Sequence, residues 1–269
     1  MLKKCLRYDL KSIFVYWIFG AIAMLIMSIP GGLALRSQEI HMNDTQHFPW
    51  EIFVLMIVYF VGIAFFILTE ILVYVRFYKH FFSDEGYLTF TLPVKRRTLF
   101  TSKVLNGVIF QAASITVIIV SVIIMTLFIP VSPQEDAPVD IIGTFINEGW
   151  VIAYLLECLV LFVILLFLSV LFTYLIITIG ATIVRKNKIL VTIGIGYGVN
   201  FVISILSYII IFGTAFYAAS VAVIFPSGPS NVYLFIFLVI ALLIAISLTV
   251  TIIMGLITLR IIERKLNLA

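Results

Sequence analysis

IFVLMIVYFVGIAFFILTEILVYV, residues 52–75, decides the fold class of this chain, because its 24 residues carry only one charge, Glu70. A helix needs roughly 20 mainly apolar residues to cross the hydrocarbon core of a bilayer. The run does not alternate between apolar and polar residues as a transmembrane barrel strand would. It therefore predicts a membrane-spanning α-helix.

The rest of the chain follows the same pattern. Apolar residues make up 63% of the 269 residues and charged residues 11%, against about 45–50% and about 25% in soluble domains. We predict an all-α integral membrane fold, a six-span helical bundle forming a single transmembrane domain over residues 1–269. The spans are expected at about residues 13–35, 52–75, 104–129, 151–184, 189–212 and 232–259, with an outer interfacial or re-entrant segment at 213–231.

The basic residues predict the orientation. Every Lys and Arg except Arg36 falls in the two termini or in the loops after the second and fourth spans. By the positive-inside rule these parts are cytoplasmic, so we expect an N-in/C-in, multi-pass protein of the cell membrane. The basic balance, with a sequence pI near 9.0, is explained by contact with anionic membrane lipids and does not indicate nucleic-acid binding.

Residues 1–12 predict an interfacial amphipathic helix that leads into the first span. Leu2, Leu6, Leu10 and Ile13 recur at helical spacing, and the basic residues lie largely off that face. Such a helix anchors the terminus at the membrane surface, or it touches a cytoplasmic partner.

The loop between the second and third spans predicts a short cytoplasmic helix. Ser83 is a suitable N-cap, and the acidic side chains of Asp84 and Glu85 suit the positive end of a helix. Pro93 ends that helix, and a second helix is expected to begin around residues 95–98 and to continue into the third span. The apolar side chains of the short helix need a cover, which is either lipid or a groove on a partner protein.

Several kinds of chemistry are absent from the sequence. No G-x-x-x-x-G-K-[ST] motif is present, so we expect no nucleotide triphosphate to bind this chain. The three histidines fall in two loops predicted on opposite sides of the membrane, and there is no H-E-x-x-H or paired-cysteine motif. We therefore expect neither a metal site nor an enzyme.

Polar residues inside the predicted spans are the candidates for function, since an acid within a membrane is costly. Glu70 is expected about one and a half turns from the cytoplasmic end of the second span, and Glu157 about two turns from the outer end of the fourth. Each binds a structural partner or lines a transport route. The same alternatives apply to Asn106, Gln111 and Asn200, which more often form hydrogen bonds between helices.

Gly194 and Gly198 form a G-x-x-x-G pair, which predicts close helix packing within or between protomers.

SDEGYLTFTLPVKRRTLFTSK, residues 83–103, closely resembles the loop between the second and third spans of type-2 ABC exporter permeases from Gram-positive bacteria. There a pattern like (S)xEGYLxxTLPVxRxxLLxSK is typical. The basic start MLKKCLRYDLK, residues 1–11, is similar to the opening of the same family. Six spans and cytoplasmic termini are compatible with it over the full length, although these features are less specific.

The resemblance implies a complex of two permease chains, forming a homo- or heterodimer, with two copies of a separate ABC ATPase subunit. ATP and Mg would be bound by that subunit, and this chain would hold no cofactor. The short helix would be the coupling helix that docks on the ATPase, with the contact at Ser83, Asp84, Glu85, Gly86, Tyr87 and Leu88. Because the first and fifth spans of the family commonly meet across the dimer, Gly194 and Gly198 would lie at that interface.

The sequence therefore predicts the permease subunit of an ATP-driven exporter, with a peptide, drug or lipid-like substrate. Two alternatives remain open at this point. One is an ion-coupled secondary transporter that uses Glu70 or Glu157, and the other is a non-transporting membrane sensor or immunity subunit. The direction, export, follows from the resemblance and from no individual residue.

Overall fold

A computed structural model describes residues 2–40, 50–82, 95–129, 149–183, 194, 196, 198 and 229–265. Over these ranges the chain forms no strand and five long α-helices, namely α1 (Leu2–Ile40), α2 (Trp50–Phe82), α3 (Arg96–Thr126), α4 (Gly149–Ile183) and α5 (Pro229–Lys265). Each helix is long and apolar enough to cross a membrane. The prediction of an all-α, multi-pass membrane protein is confirmed at this level.

Two of the predicted features lie outside the described residues. The span expected at 189–212 does so except for three glycines, and the segment 213–231 except for the first three residues of α5. The number of six spans and the cytoplasmic placement of both termini stay predictions.

The described helices belong to two compact units, residues 1–136 and residues 137–269. In the first unit α1, α2 and α3 pack against one another pairwise. A buried stripe runs along α1 with steps of three and four residues, as expected for one face of a packed helix. Its members are Asp9, Ile13, Trp17, Ala21, Met24, Ser28, Gly31 and Ala34.

Helix α1 is one unbroken helix over the predicted interfacial segment and the first span. The sequence between Leu2 and Phe19 holds no glycine or proline to break it. Asp9, which lies within the predicted interfacial segment, is buried against the other helices of the unit, whereas Leu2 is exposed. Residues 2–12 are therefore continuous with the first span and belong to the three-helix unit.

Helix α2 continues about two turns beyond the predicted span end at residue 75. The hydrophobic run ends at Arg76, but Phe77 and Phe81 are almost fully buried and their ring centroids lie 5.0 Å apart. Packing of these rings continues the helix where hydropathy alone indicated its end. As a result Glu70 is twelve residues, just over three turns, from the end of α2.

Small residues allow the three helices of the first unit to approach closely. A Cβ atom on Gly20 would lie 2.8 Å from the Phe65 ring, and one on Gly32 would overlap with the Phe128 ring and lie 3.2 Å from the Met125 carbonyl oxygen. Close backbone approach at small residues is a general feature of helix packing in membranes, where burial of apolar surface gives no driving force.

Helix α3 begins as predicted. Lys95 has an extended backbone (φ −61°, ψ 135°), and its carbonyl accepts a hydrogen bond from the amide of Thr98 at 2.9 Å. The basic residues at this end are unfavourable for the positive end of a helix. Leu99 and Phe100 in the first turn are buried, so packing rather than charge favours the helix here.

In the second unit α4 and α5 pack against each other. Helix α4 is apolar on all sides, and its buried residues include Val170 and Tyr174. Gly255 of α5 lies against α4, since a Cβ there would be 3.5 Å from Leu171. Pro229 is the first residue of α5, a position where the missing amide hydrogen is not needed.

Candidate functional site

Two of the predicted site residues contact each other in the first unit. The amide Nε2 of Gln111 in α3 donates a hydrogen bond to Oε1 of Glu70 in α2, at 2.5 Å. Tyr74, one turn further along α2, is a second side-chain partner of the same carboxyl group. The other carboxyl oxygen, Oε2, is buried and has no hydrogen-bond partner among the described residues. One oxygen of the Glu70 carboxyl group is thus held by α3, and the other is buried without a hydrogen-bond partner among the described residues.

A chain of hydrogen bonds lies beside this pair and joins all three helices. Trp17 Nε1 of α1 donates to Ser114 Oγ of α3 at 2.7 Å, and Ser114 lies 2.9 Å from Thr69 Oγ1 of α2. The Thr69 hydroxyl donates to the Phe65 carbonyl at 3.0 Å. Since each hydroxyl has only one proton, Ser114 must donate to Thr69. Every proton in the chain is used, which favours a structural role.

We refer to Trp17, Thr69, Glu70, Gln111 and Ser114 as the polar band. Thr69 and Ser114 are fully buried, and Gln111 is 2% exposed. The hydroxyl and indole members satisfy one another, so only the Glu70 carboxyl group keeps an unused oxygen. The band can therefore fix the three helices at one level and, at Glu70, bind a proton, a cation or a water molecule.

A second group of charged residues lies nearer the N-terminal end of α1. Lys103 Nζ of α3 is 2.5 Å from Asp9 Oδ1 of α1, and the side chains of both are 4% exposed. Arg76 of α2 lies over the ring of Tyr8, with Cζ 5.7 Å from the ring centroid. We refer to Tyr8, Asp9, Arg76 and Lys103 as the ionic cluster. Like the polar band, it takes residues from all three helices.

Asn106 lies on α3 between the ionic cluster and the polar band. It is 2% exposed, and its Oδ1 has no hydrogen-bond partner among the described residues. From Lys103 to Ser114, α3 therefore has buried polar side chains over about 16 Å of its length. Three predicted candidates, Glu70, Asn106 and Gln111, thus belong to one unit, and two of them are in contact.

The other two predicted residues of the transport route, Glu157 and Asn200, do not belong to the first unit. Glu157 lies on α4 of the second unit, half-buried, with Oε2 lacking a hydrogen-bond partner among the described residues. Asn200 lies outside the described residues.

The predicted G-x-x-x-G pair makes no close contact within the described part of the chain. A Cβ on Gly194 or Gly198 would meet nothing within 4 Å, whereas one on Gly196 would lie 3.5 Å from Ile176 of α4. Among the described residues, the glycine between the pair contacts a neighbouring helix and the pair itself does not. Contact of Gly194 and Gly198 with a second chain stays a prediction.

The predicted coupling helix, with the contact residues Ser83, Asp84, Glu85, Gly86, Tyr87 and Leu88, lies outside the described residues. Its two flanking helices are described. Phe81 at the end of α2 and Leu99 at the start of α3 are both buried in the first unit, so the segment is attached at both ends to well-packed helices.

Sequence reasoning did not single out Asp9, Trp17, Thr69, Lys103 or Ser114. Lys103 was counted only as one of the positive charges of the cytoplasmic side, although Asp9 is the one acid among the basic residues of the N-terminus. That acid was the available signal, because an acid in a basic segment often has a specific cation as its partner. For the hydroxyl residues and Trp17 the sequence contains no comparable signal.

Comparisons of the chain with protein-family models, with curated proteins and with solved structures give no match. Its fold and site define a helical multi-pass membrane protein with a buried polar network in its N-terminal unit.

Proposed function

We propose that this chain is the membrane-spanning permease subunit of an ATP-driven exporter, with ATP hydrolysis on a separate subunit. The observation that carries the proposal is the segment at residues 83–103, whose sequence resembles the coupling loop of type-2 ABC exporter permeases. The helical multi-pass fold, which such a permease requires, supports it. The six spans, cytoplasmic termini, cell-membrane location and dimeric assembly belong to the same proposal.

The packing of α2 and α3 supports a mechanism for coupling. Each is a single helix from the loop to the polar band, so Glu70 lies about 18 Å from the end of α2 and Gln111 about 22 Å from the start of α3. Movement of the loop would therefore be transmitted to the Glu70–Gln111 hydrogen bond. Binding of ATP would change which of two permease states the docked partner favours. The permease would then shift towards that state.

The test is charge reversal in the proposed docking helix. We expect that D84K/E85K will reduce the amount of ATPase that co-purifies with the affinity-tagged chain by at least tenfold, since two attractive charges become repulsive at the contact. The measurement is quantitative mass spectrometry of the eluate from native membranes.

The matched control is E135K/D136K, the same reversal in a loop predicted on the opposite side of the membrane. It should leave the ATPase yield unchanged. Equal yields from wild type and from D84K/E85K, with an ATPase present, would show that docking occurs elsewhere. An equal loss from both double variants would show a general effect of charge on folding or insertion.

A second candidate, ion-coupled transport, is favoured by one observation, the unpartnered Oε2 of the buried Glu70 carboxyl group. An ionisable group buried in a membrane protein is a common component of proton pathways. Under the exporter proposal the chain alone should carry no proton flux that depends on this residue.

Proton flux into proteoliposomes that contain only this chain distinguishes the two functions. A pH gradient is imposed, with internal pyranine as the probe. We expect proteoliposomes with wild type, E70Q or E157Q to show the same proton flux as empty liposomes, within the scatter of replicates. A wild-type flux that falls at least fivefold in E70Q or E157Q would favour ion coupling. E70Q keeps an oxygen that can accept the hydrogen bond from Gln111, so loss of flux would not be a result of misfolding.

A further inference from the structure

Arg76 is a half-buried cation that has no acidic partner among the described residues. Its Nε atom is buried and has no hydrogen-bond partner in the described part of the chain, and no described carboxylate forms an ion pair with it. The guanidinium group lies over the ring of Tyr8, 5.7 Å from its centroid, so one face of the group is covered by an aromatic side chain.

The nearest ion pair does not neutralise this charge. Asp9 is bound to Lys103 at 2.5 Å, and Lys103 is close enough to Arg76 to interact with it electrostatically. The ionic cluster therefore contains two cations and one anion. The Nε atom of Arg76 is removed from water without an acceptor, which is costly, so an anion from outside the described residues would be favoured here.

The surroundings of Arg76 indicate what kind of anion is available. Four exposed basic residues lie near the same ends of α1 and α2, and exposed apolar side chains follow them along both helices. The basic residues are Lys3, Lys4, Arg7 and Lys79, and the apolar ones include Phe14, Ile71 and Val75. Basic side chains above an apolar surface are typical of a helix end at the level of lipid headgroups.

We propose that Arg76 and Tyr8 form a binding site for the phosphate group of an anionic lipid, at the point where α1 and α2 meet. The planar guanidinium fork matches the geometry of phosphate oxygens and binds them more specifically than an ammonium group does. The Tyr8 ring, which is 67% exposed, would fix the fork and contact the upper part of the acyl chains. This site would exist whether or not the chain partners an ATPase.

The test compares thermal unfolding of the full chain in nanodiscs of phosphatidylcholine alone and of phosphatidylcholine with phosphatidylglycerol. For wild type we expect phosphatidylglycerol to raise Tm by about 5 °C, because a ligand that binds only the folded state stabilises it. R76Q should lose at least half of that rise. In phosphatidylcholine alone R76Q should be as stable as wild type, or more so, since an uncompensated charge has been removed.

The matched control is K79Q, which removes the same charge three residues away on an exposed side chain. It should keep most of the rise in Tm. R76K, which preserves charge without the fork, should fold and show a smaller rise than wild type. Inorganic phosphate added to phosphatidylcholine nanodiscs separates the two sources of phosphate, and we expect no rise in Tm from it. A rise equal to that with phosphatidylglycerol would assign the site to a soluble anion instead.

Two results would overturn the proposal. One is an equal loss of the phosphatidylglycerol effect in R76Q and K79Q, which would mean that general surface charge is responsible. The other is a fall in Tm of R76Q by the same amount in both lipid mixtures, which would mean that the anion bound to Arg76 is part of the protein itself.

Discussion

Replacing Lys103 with methionine is expected to lower the free energy of unfolding of the protein by about 3–5 kcal/mol, the range found when one partner of a buried ion pair is removed. The substitution keeps most of the side-chain volume but leaves the Asp9 carboxylate buried and without its cation. The measurement is a titration with SDS in mixed micelles, followed by far-UV circular dichroism.

The double variant D9L/K103M should recover most of that loss, because replacement of both charges with apolar groups removes the desolvation cost as well as the attraction. Lys79→Met is the matched control, since it removes an exposed lysine from α2 and should leave stability unchanged. If K103M were no less stable than K79M, the Asp9–Lys103 pair would not join α1 to α3 in the membrane.

Trp17→Ala is expected to cost about 3 kcal/mol, the lower end of the range for deletion of a buried aromatic side chain. The lower end applies because lipid is as apolar as the site from which the ring is removed, so mainly packing is lost. Trp17 packs against Phe65 at 6.0 Å and Phe110 at 5.8 Å between ring centroids, so its removal leaves a cavity where the three helices meet.

Trp17→Phe separates packing from hydrogen bonding. It keeps an aromatic ring but loses the hydrogen bond to Ser114. Hydrogen bonds between helices of membrane proteins are worth about 0.6 kcal/mol on average and up to about 1.7 kcal/mol. Phe19 lies on the same helix and is 69% exposed. Phe19→Ala is therefore the control and should change stability little. Similar losses in W17A and F19A would contradict the placement of Trp17 inside the unit.

The fold class could be predicted because membrane spans depend on a simple property, the length of apolar runs. The ends of the helices could not, as α1 and α2 show. Asp9 and Phe81 extend the packed helices beyond the apolar runs through contacts with other helices, and hydropathy does not record such contacts.

The candidate site could be predicted only in part, because its contacts also depend on how the helices pack against one another. Glu70 and Gln111 could be recognised as polar residues within spans, but their contact depends on the register between α2 and α3. Thr69 and Ser114 could not be recognised, because a hydroxyl group in a membrane helix can bond to its own backbone and then has no need of a neighbour. Thr69 bonds both to its own backbone, at the Phe65 carbonyl, and to Ser114. Ser114 bonds to Thr69 and Trp17 on the two other helices.

The glycines give a further example. The G-x-x-x-G pair was the visible motif for close packing, yet the close approaches in the described residues occur at Gly20, Gly31 and Gly32. These residues have no spacing motif of their own, and their importance depends on the large side chains opposite them, such as Phe65 and Phe128. Helix packing in this unit is thus decided by pairs of positions that are far apart in the sequence.

The exporter proposal is tested most directly by the native mass of the complex that purifies with this chain from its own membranes. Native mass spectrometry is expected to show two permease chains, either two copies of this one or this one with a second, and two copies of a P-loop ATPase, and the same sample should hydrolyse ATP. The proposal would be contradicted by a sample that contains only this chain, as a monomer or as a homo-oligomer, and has no ATPase activity.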